Sequence, residues 1–365
     1  MRAFSLNTMR EATRLTKAGK LDEAMRLLQG GPTPEPRQAA PAASVTRLLD
    51  SAPAPHRITQ KGRAPKPAFP AFALRSRRSP PAPVPEGARF ETRTFANAAG
   101  SRTYKVYAPS GGGEKPLPVV VMLHGCTQDP DDFAAGTRMN EIAEEQKFLV
   151  VYPCQPKSAN LQKCWNWFQA GDQRREGGEP SLIAGIAREV VASFGADASR
   201  VYVAGLSAGG AAAAILAATH PDVFAAVGVH SGLACGAARD MPSAFAAMSG
   251  SGGVVARRDG PTVPTIVFHG DADATVKPAN GHQVIAQASP ASGLTEAVTR
   301  GATPAGMAYT RTDHLGEAGA HVLEHWELHG AGHAWSGGSA SGTFTDPRGP
   351  DASREMVRFF LAHRL

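Results

Sequence analysis

Residues 201–216, VYVAGLSAGGAAAAIL, pass from a strand-forming run to a helix-forming run in a single step. Val201, Tyr202 and Val203 predict a buried strand, and the alanines from Ala211 onward predict a helix. Between them Gly205-Leu206-Ser207-Ala208-Gly209 forms a G-x-S-x-G turn. Only glycine fits beside the serine in a turn that tight, and the turn lifts the hydroxyl off the end of a sheet toward a helix N-terminus. Such a junction requires a strand covered on both faces, with its helix folded back over it.

The chain from residue 86 supplies that setting. LPVVVMLHG, FLVVYP, RVYVAGL, AAVGVHSG and PTIVFHGD are apolar strands, and HVLEHWELHG near the end is a further, more polar strand. FAAGTRMNEIAEEQ, SLIAGIAREVVASFG and AGGAAAAILAATHP are helices between them, and DASREMVRFFLAHR is a closing helix. Unbroken apolar strands alternating with helices predict an α/β fold with a mostly parallel, doubly wound sheet. RFETRTFA and RTYKVYAP alternate in the manner of a hairpin around NAAGS, which gives that sheet an antiparallel N-terminal edge.

Upstream the pattern changes. Residues 1–29 carry Leu6, Met9, Leu15, Leu21, Met25 and Leu28 at roughly helical spacing, interrupted at Gly19-Lys20, and predict a helical segment. Residues 30–85 are rich in Pro, Ala and Arg and lack apolar periodicity, so a disordered linker is expected. Of the 38 Lys/Arg in the chain, 15 fall in residues 1–85 against 5 Asp/Glu, so this arm accounts for more than the whole net charge of +6. The rest is net acidic and predicts no nucleic-acid partner, while the arm can adhere to an anionic surface. No apolar run is long enough to span a membrane. The opening residues lack the apolar stretch of a secretory signal, so a cytoplasmic location is expected on sequence. Cys126, Cys154, Cys164 and Cys235 show no zinc-like spacing, and neither metal nor cofactor is expected.

A serine hydroxyl needs a base, and the base needs an orienting acid. After Ser207, PTIVFHGDADATV is a strand ending at Asp271 and Asp273, and ELHGAGHAWSGG is a strand followed by a glycine-rich loop with His333. Ligands collect beyond the C-terminal ends of parallel strands, where both loops lie. Asp273 is favoured over Asp271, which abuts the strand and is placed to cap the turn. His333 is favoured over His325 and His329, which lie within or at the end of the strand. The Ala208 N–H can face a developing oxyanion, and the strand ending at His124-Gly125 offers a second N–H from Cys126 or Thr127. Of the two, Cys126 is taken.

The ordered set LHGCTQDPDDFAAGTRMN, KCWNWF, VYVAGLSAGGAAAA, GVHSGLACGAA, FHGDADATV and HGAGHAWSGG resembles the polyhydroxyalkanoate (PHB) depolymerase family of esterases, α/β-hydrolases related to feruloyl and acetylxylan esterases. The resemblance covers roughly residues 88–365. It implies Ser207, Asp273 and His333 as a triad hydrolysing short-chain hydroxyalkanoate polyester, its oligomers or related small esters without a cofactor. The alternatives are a carbohydrate esterase removing feruloyl or acetyl groups, or a non-catalytic binding protein on the same scaffold. The family's secreted members carry a signal peptide and a polymer-adsorbing C-terminal domain; neither is expected here, so soluble oligomers stand beside solid polymer as substrates. Within CWNWF, Trp165 and Trp167 can form an apolar wall for the ester chain or anchor the loop in the core, and one of each is expected. Cys164 can pair with Cys126, since both follow strands at one sheet edge.

Overall fold

The computed structural model describes residues 84–112, 115–256, 260–290 and 293–365. The helical segment expected at 1–29, and all but the last two residues of the expected linker, lie outside the described residues.

The N-terminal hairpin forms as expected. Strands β1 (Arg89–Asn97) and β2 (Gly100–Ala108) pair antiparallel. Asn97 closes the turn with its Oδ1 accepting the Ala99 N–H at 2.8 Å. The chain then runs through β3 (Val119–Leu123), α1 (Pro130–Thr137), α2 (Met139–Gln146), β4 (Leu149–Pro153), α3 (Gly178–Phe194), β5 (Val201–Leu206) and α4 (Ala208–Thr219). It continues with β6 (Ala226–His230), α5 (Met241–Met248), β7 (Thr265–Gly270), α6 (Ala279–Ala288), β8 (Thr295–Ala302), β9 (Ala308–Leu315) and β10 (His321–Leu328). A small pair, β11 (Trp335–Ser336) and β12 (Thr345–Asp346), precedes the last helix, α7 (Ala352–Leu361).

The large sheet has the order β1-β2-β4-β3-β5-β6-β7-β10-β9-β8, parallel from β4 to β10 and antiparallel at both edges. Period-2 alternation sends side chains to opposite faces. Val119, Val121 and Leu123 join the core formed with α3, α4 and α6, whereas Val120 and Met122 join the core with α1, α2 and α7. Both faces are therefore covered, which is why the central strands are apolar throughout. Because the chain passes from β3 out to β4 and then back to β5, strand order reverses between β3 and β5. That switch point is where open α/β sheets leave a crevice at the strand C-termini.

One expectation needs correction, and one feature of the sheet is additional to those expected. The helix expected over residues 133–146 is two helices, broken at Arg138, which takes a left-handed φ of 54°. Its N–H caps α1 on the Ala134 carbonyl and its guanidinium pairs with Asp351 at 2.8 Å, so a tertiary contact sets the break. The far edge is also antiparallel, through the hairpin β8–β9, and β8 is almost wholly exposed. A strand without a buried face carries little hydrophobic signal.

Candidate active site

β5 delivers Ser207 into the elbow. The residue has φ 57° and ψ −118°, a conformation that L side chains rarely adopt. Its N–H bonds to the His230 carbonyl at 2.9 Å, and its own carbonyl accepts the Ala211 N–H at 2.9 Å. The flanking glycines are required by close approach. A Cβ on Gly205 would overlap the backbone of Gly209, and one on Gly209 would overlap the Leu123 and His124 carbonyls. The first turn of α4 is thus pressed onto the end of β3. The Ser207 hydroxyl has no hydrogen-bond partner among the described residues.

Asp273 and His333 meet beyond the ends of β7 and β10, with His333 Nδ1 2.7 Å from Asp273 Oδ2. Asp273 is buried, and its Oδ1 accepts the N–H groups of Thr275 and Val276 at 2.8 and 2.9 Å. Burial alone would push this carboxyl up. The His333 bond and charge, together with the two backbone donors, outweigh it and hold the group below the usual carboxylate range. Asp271 does different work. Its Oδ1 accepts the Gly330 N–H at 2.7 Å and its Oδ2 lies 3.0 Å from His329 Nδ1, stitching the two strand-end turns together at the surface. His325 is buried inside β10.

β3 brings the second backbone segment alongside. Leu123 pairs with Gly205, and Gly125 packs against Leu206, which sets the Cys126 backbone beside the elbow. The Thr127 N–H is engaged by the Gln162 carbonyl at 2.6 Å, leaving Cys126 as the candidate donor of the two. Cys126 is disulfide-bonded to Cys164, as the pairing considered from sequence has it. Trp165 Nε1 donates to the His124 carbonyl at 3.0 Å, and the Gln155 N–H donates to His124 Nε2 at 3.1 Å. Behind them the buried Glu179 carboxylate accepts the Asn166 N–H at 2.7 Å, the Asn166 amide at 2.9 Å and the Gln155 amide. Charge and hydrogen bonds thus converge on a loop that holds the end of β3.

The tryptophans differ from expectation. Trp165 is fully buried with its indole N–H satisfied, and Trp167 is only 6% exposed, packed edge-on to Phe168. Both anchor the loop in the core, and neither presents an indole face as a wall. An aromatic pair around one asparagine suits either role, and the apolar helix face beneath decides between them.

The sequence assigns no role to the side chains of His124, His230 and Glu179. His230 sits in the motif GVHSG. Nothing in the sequence connects Glu179 with a loop that ends ten residues before it. A further titratable group, Asp313, His321 and Glu324, gathers at the opposite end of β10. There Arg311 and Arg358 already pair with the two carboxylates, which disfavours a cation.

Reducing the disulfide, or replacing both cysteines by serine, should destabilise the protein by about 2–4 kcal/mol, since it closes a loop with a sequence separation of 38. Differential scanning fluorimetry with and without reductant measures this.

Acid should also destabilise. Burial pulls His124, His220 and His363 down to about 4, and His230 and His325 to about 3, against an ordinary 6.5. Between those values the unfolded chain binds protons that the folded chain refuses. The contribution of these groups to stability is complete well above pH 6.5 and is lost as pH falls through 6.5 toward about 4 for the first three and about 3 for the other two. Urea midpoints at pH 7.5 and 5 test it; equal midpoints would contradict the burial of these imidazoles.

A sheet of this topology, with a strand–helix elbow at its switch point and later loops delivering Asp and then His, has the α/β-hydrolase fold. Acetyl xylan esterase from Aspergillus awamori is similar in structure, with a TM-score of 0.56 at 20% identity, covering 75% of this chain and 99% of that one. The family model described as Esterase PHB depolymerase matches residues 102–313, and the chain belongs to that family of esterases. Among curated relatives, poly(3-hydroxyalkanoate) depolymerase C of Paucimonas lemoignei is 36% identical over 209 residues, 54% of this chain and 50% of its own length. A probable acetylxylan esterase A of Neosartorya fischeri is 28% identical over 214 residues, 54% of this chain and 57% of its own. Feruloyl esterase B of Neurospora crassa is 35% identical over 144 residues, 39% of this chain and 48% of its own. The chain therefore spans about half the length of the curated relatives it matches.

Proposed function

We propose that the chain is a serine esterase that cleaves short hydroxyalkanoate esters, polymeric or oligomeric, through an acyl-enzyme. The observation that carries this reading is the 2.7 Å pairing of His333 with the buried Asp273, on loops that follow the elbow serine in chain order. Ser207 attacks the ester carbonyl while His333 Nε2 takes its proton, and Asp273 keeps the proton of the imidazole on Nδ1. The Ala208 and Cys126 N–H groups receive the negative charge of the tetrahedral intermediate. His333 then protonates the departing alcohol, and water releases the acyl group by the same steps in reverse. This chemistry calls for no metal or organic cofactor.

Removal of acetyl or feruloyl groups from carbohydrate is the second reading, favoured by the acetylxylan and feruloyl esterases among the relatives. A panel of p-nitrophenyl esters from acetyl to octanoyl, amorphous polyhydroxybutyrate, hydroxybutyrate oligomers and a feruloylated sugar separates the two. Cleavage of oligomers is expected; cleavage of the feruloyl sugar with indifference to hydroxybutyrate would transfer the protein to the carbohydrate esterases. A fluorophosphonate probe should label Ser207, and an unlabelled serine would favour a non-catalytic scaffold.

A further inference from the structure

We propose that His230 is a positioning residue, its main chain holding the elbow that carries Ser207 and its imidazole holding the far root of the loop that carries His333. The proposal rests on the reading of Ser207 and His333 given above. His230 ends β6, the strand between those of the elbow and of the acid, and is completely buried. Its carbonyl accepts the Ser207 N–H at 2.9 Å. Its Nε2 lies 3.0 Å from the Ser336 backbone nitrogen, three residues beyond His333. One residue therefore bonds to both the nucleophile segment and the base segment.

The chemistry of the ring fits this task. A backbone N–H can only donate, so Nε2 must be bare, and the proton must sit on Nδ1, 3.2 Å from the Ser231 hydroxyl. Ser231 reaches that place through a left-handed φ of 49°. The ring stacks on Phe268, at 5.8 Å and 11°, and on Trp335, at 5.1 Å and 25°. Phe268 belongs to the strand that leads to Asp273, and Trp335 opens β11 at the end of the loop that carries His333. Burial keeps the ring neutral, and the charge-bearing groups around it are His269, His333 and Asp273.

The near root of the same loop is tied by Asp271 to Gly330. His333 thus stands on a short span fixed at both ends, and its ring is held where Asp273 can orient it. A phenylalanine at 230 would keep the stacking but leave the Ser336 N–H without an acceptor in a dry interior. Histidine is the aromatic side chain whose acceptor is an atom of the stacked ring itself.

The test uses His230→Phe and His230→Gln in the full chain, beside the wild type. With His230→Phe, kcat should fall about 10- to 100-fold with KM nearly unchanged, the scale of a misplaced catalytic group. The downfield proton resonance of the His333–Asp273 bond, recorded in the resting protein, should shift or broaden. Glutamine can offer an acceptor oxygen to Ser336 and should recover most of kcat and the resonance. In the wild type, nitrogen-15 shifts should report His230 as the neutral Nδ1–H form at pH 7, a result that needs no variant to fold. A folded His230→Phe protein with wild-type kcat and an unmoved resonance overturns the proposal. So does a folded His230→Gln protein as slow as His230→Phe, or a wild-type ring protonated on Nε2. The resonance and tautomer are read without turnover, so an enzyme inactive on every ester would sink the functional reading and leave this one separately decided.

Discussion

Ser207→Ala is expected to lower ester turnover by on the order of 10⁵- to 10⁶-fold while leaving the fold intact, since losing the nucleophile of such a triad removes the covalent route entirely. The stability side of the expectation is local. The Ser207 hydroxyl bonds to no described residue, so its removal orphans no partner. Alanine inherits the same unfavourable φ of 57° and ψ of −118°, so melting should stay close to that of the wild type. Glycine, by contrast, relieves the strain, which for a residue in such a region is about 1–3 kcal/mol. Ser207→Gly should therefore be equally inactive yet melt higher. That pairing of lost activity with gained stability distinguishes a residue held in strain for chemistry from an idle turn serine. Initial rates on a short p-nitrophenyl ester and thermal melts suffice. Wild-type rates from Ser207→Ala would remove Ser207 from the mechanism.

The parts legible in the sequence are those whose signal is local. The central strands announce themselves as unbroken apolar runs because both faces are buried, and the elbow because Gly205 and Gly209 are demanded by contact. Asp273 and His333 could be singled out because each lies a few residues past a strand end. The parts that stayed hidden are set by tertiary partners. Arg138 interrupts a helical pattern through its bond to Asp351, more than two hundred residues away. β8 and β9 form a hairpin with one strand almost fully exposed, so polarity concealed it. Trp165 and Trp167 face inward because α3 and α4 supply an apolar bed, which no inspection of CWNWF reveals. His230 serves through bonds to residues 23 positions before and 106 after it in the chain.

Asp273→Asn is the sharper test of the acid, and its outcome follows from which oxygen does what. Oδ1 is bound by two N–H donors, Thr275 and Val276, and Oδ2 faces His333 Nδ1. An asparagine amide placed here must keep its oxygen toward the two donors, because its NH₂ cannot accept from them. The NH₂ is then turned onto His333 Nδ1, which must become an acceptor, and the imidazole proton moves to Nε2. A ring protonated on Nε2 cannot take the serine proton, so kcat should fall by about 10⁴-fold with KM little changed. Neighbouring Asp271→Asn has no such leverage. Its oxygen can still accept the Gly330 N–H, and the lost charge faces His329 at a half-exposed position, where such pairs are worth about 1 kcal/mol or less. A few-fold loss is expected there. Should Asp271→Asn prove the more damaging of the two, the acid would be Asp271 and the bond between Asp273 and His333 a structural one.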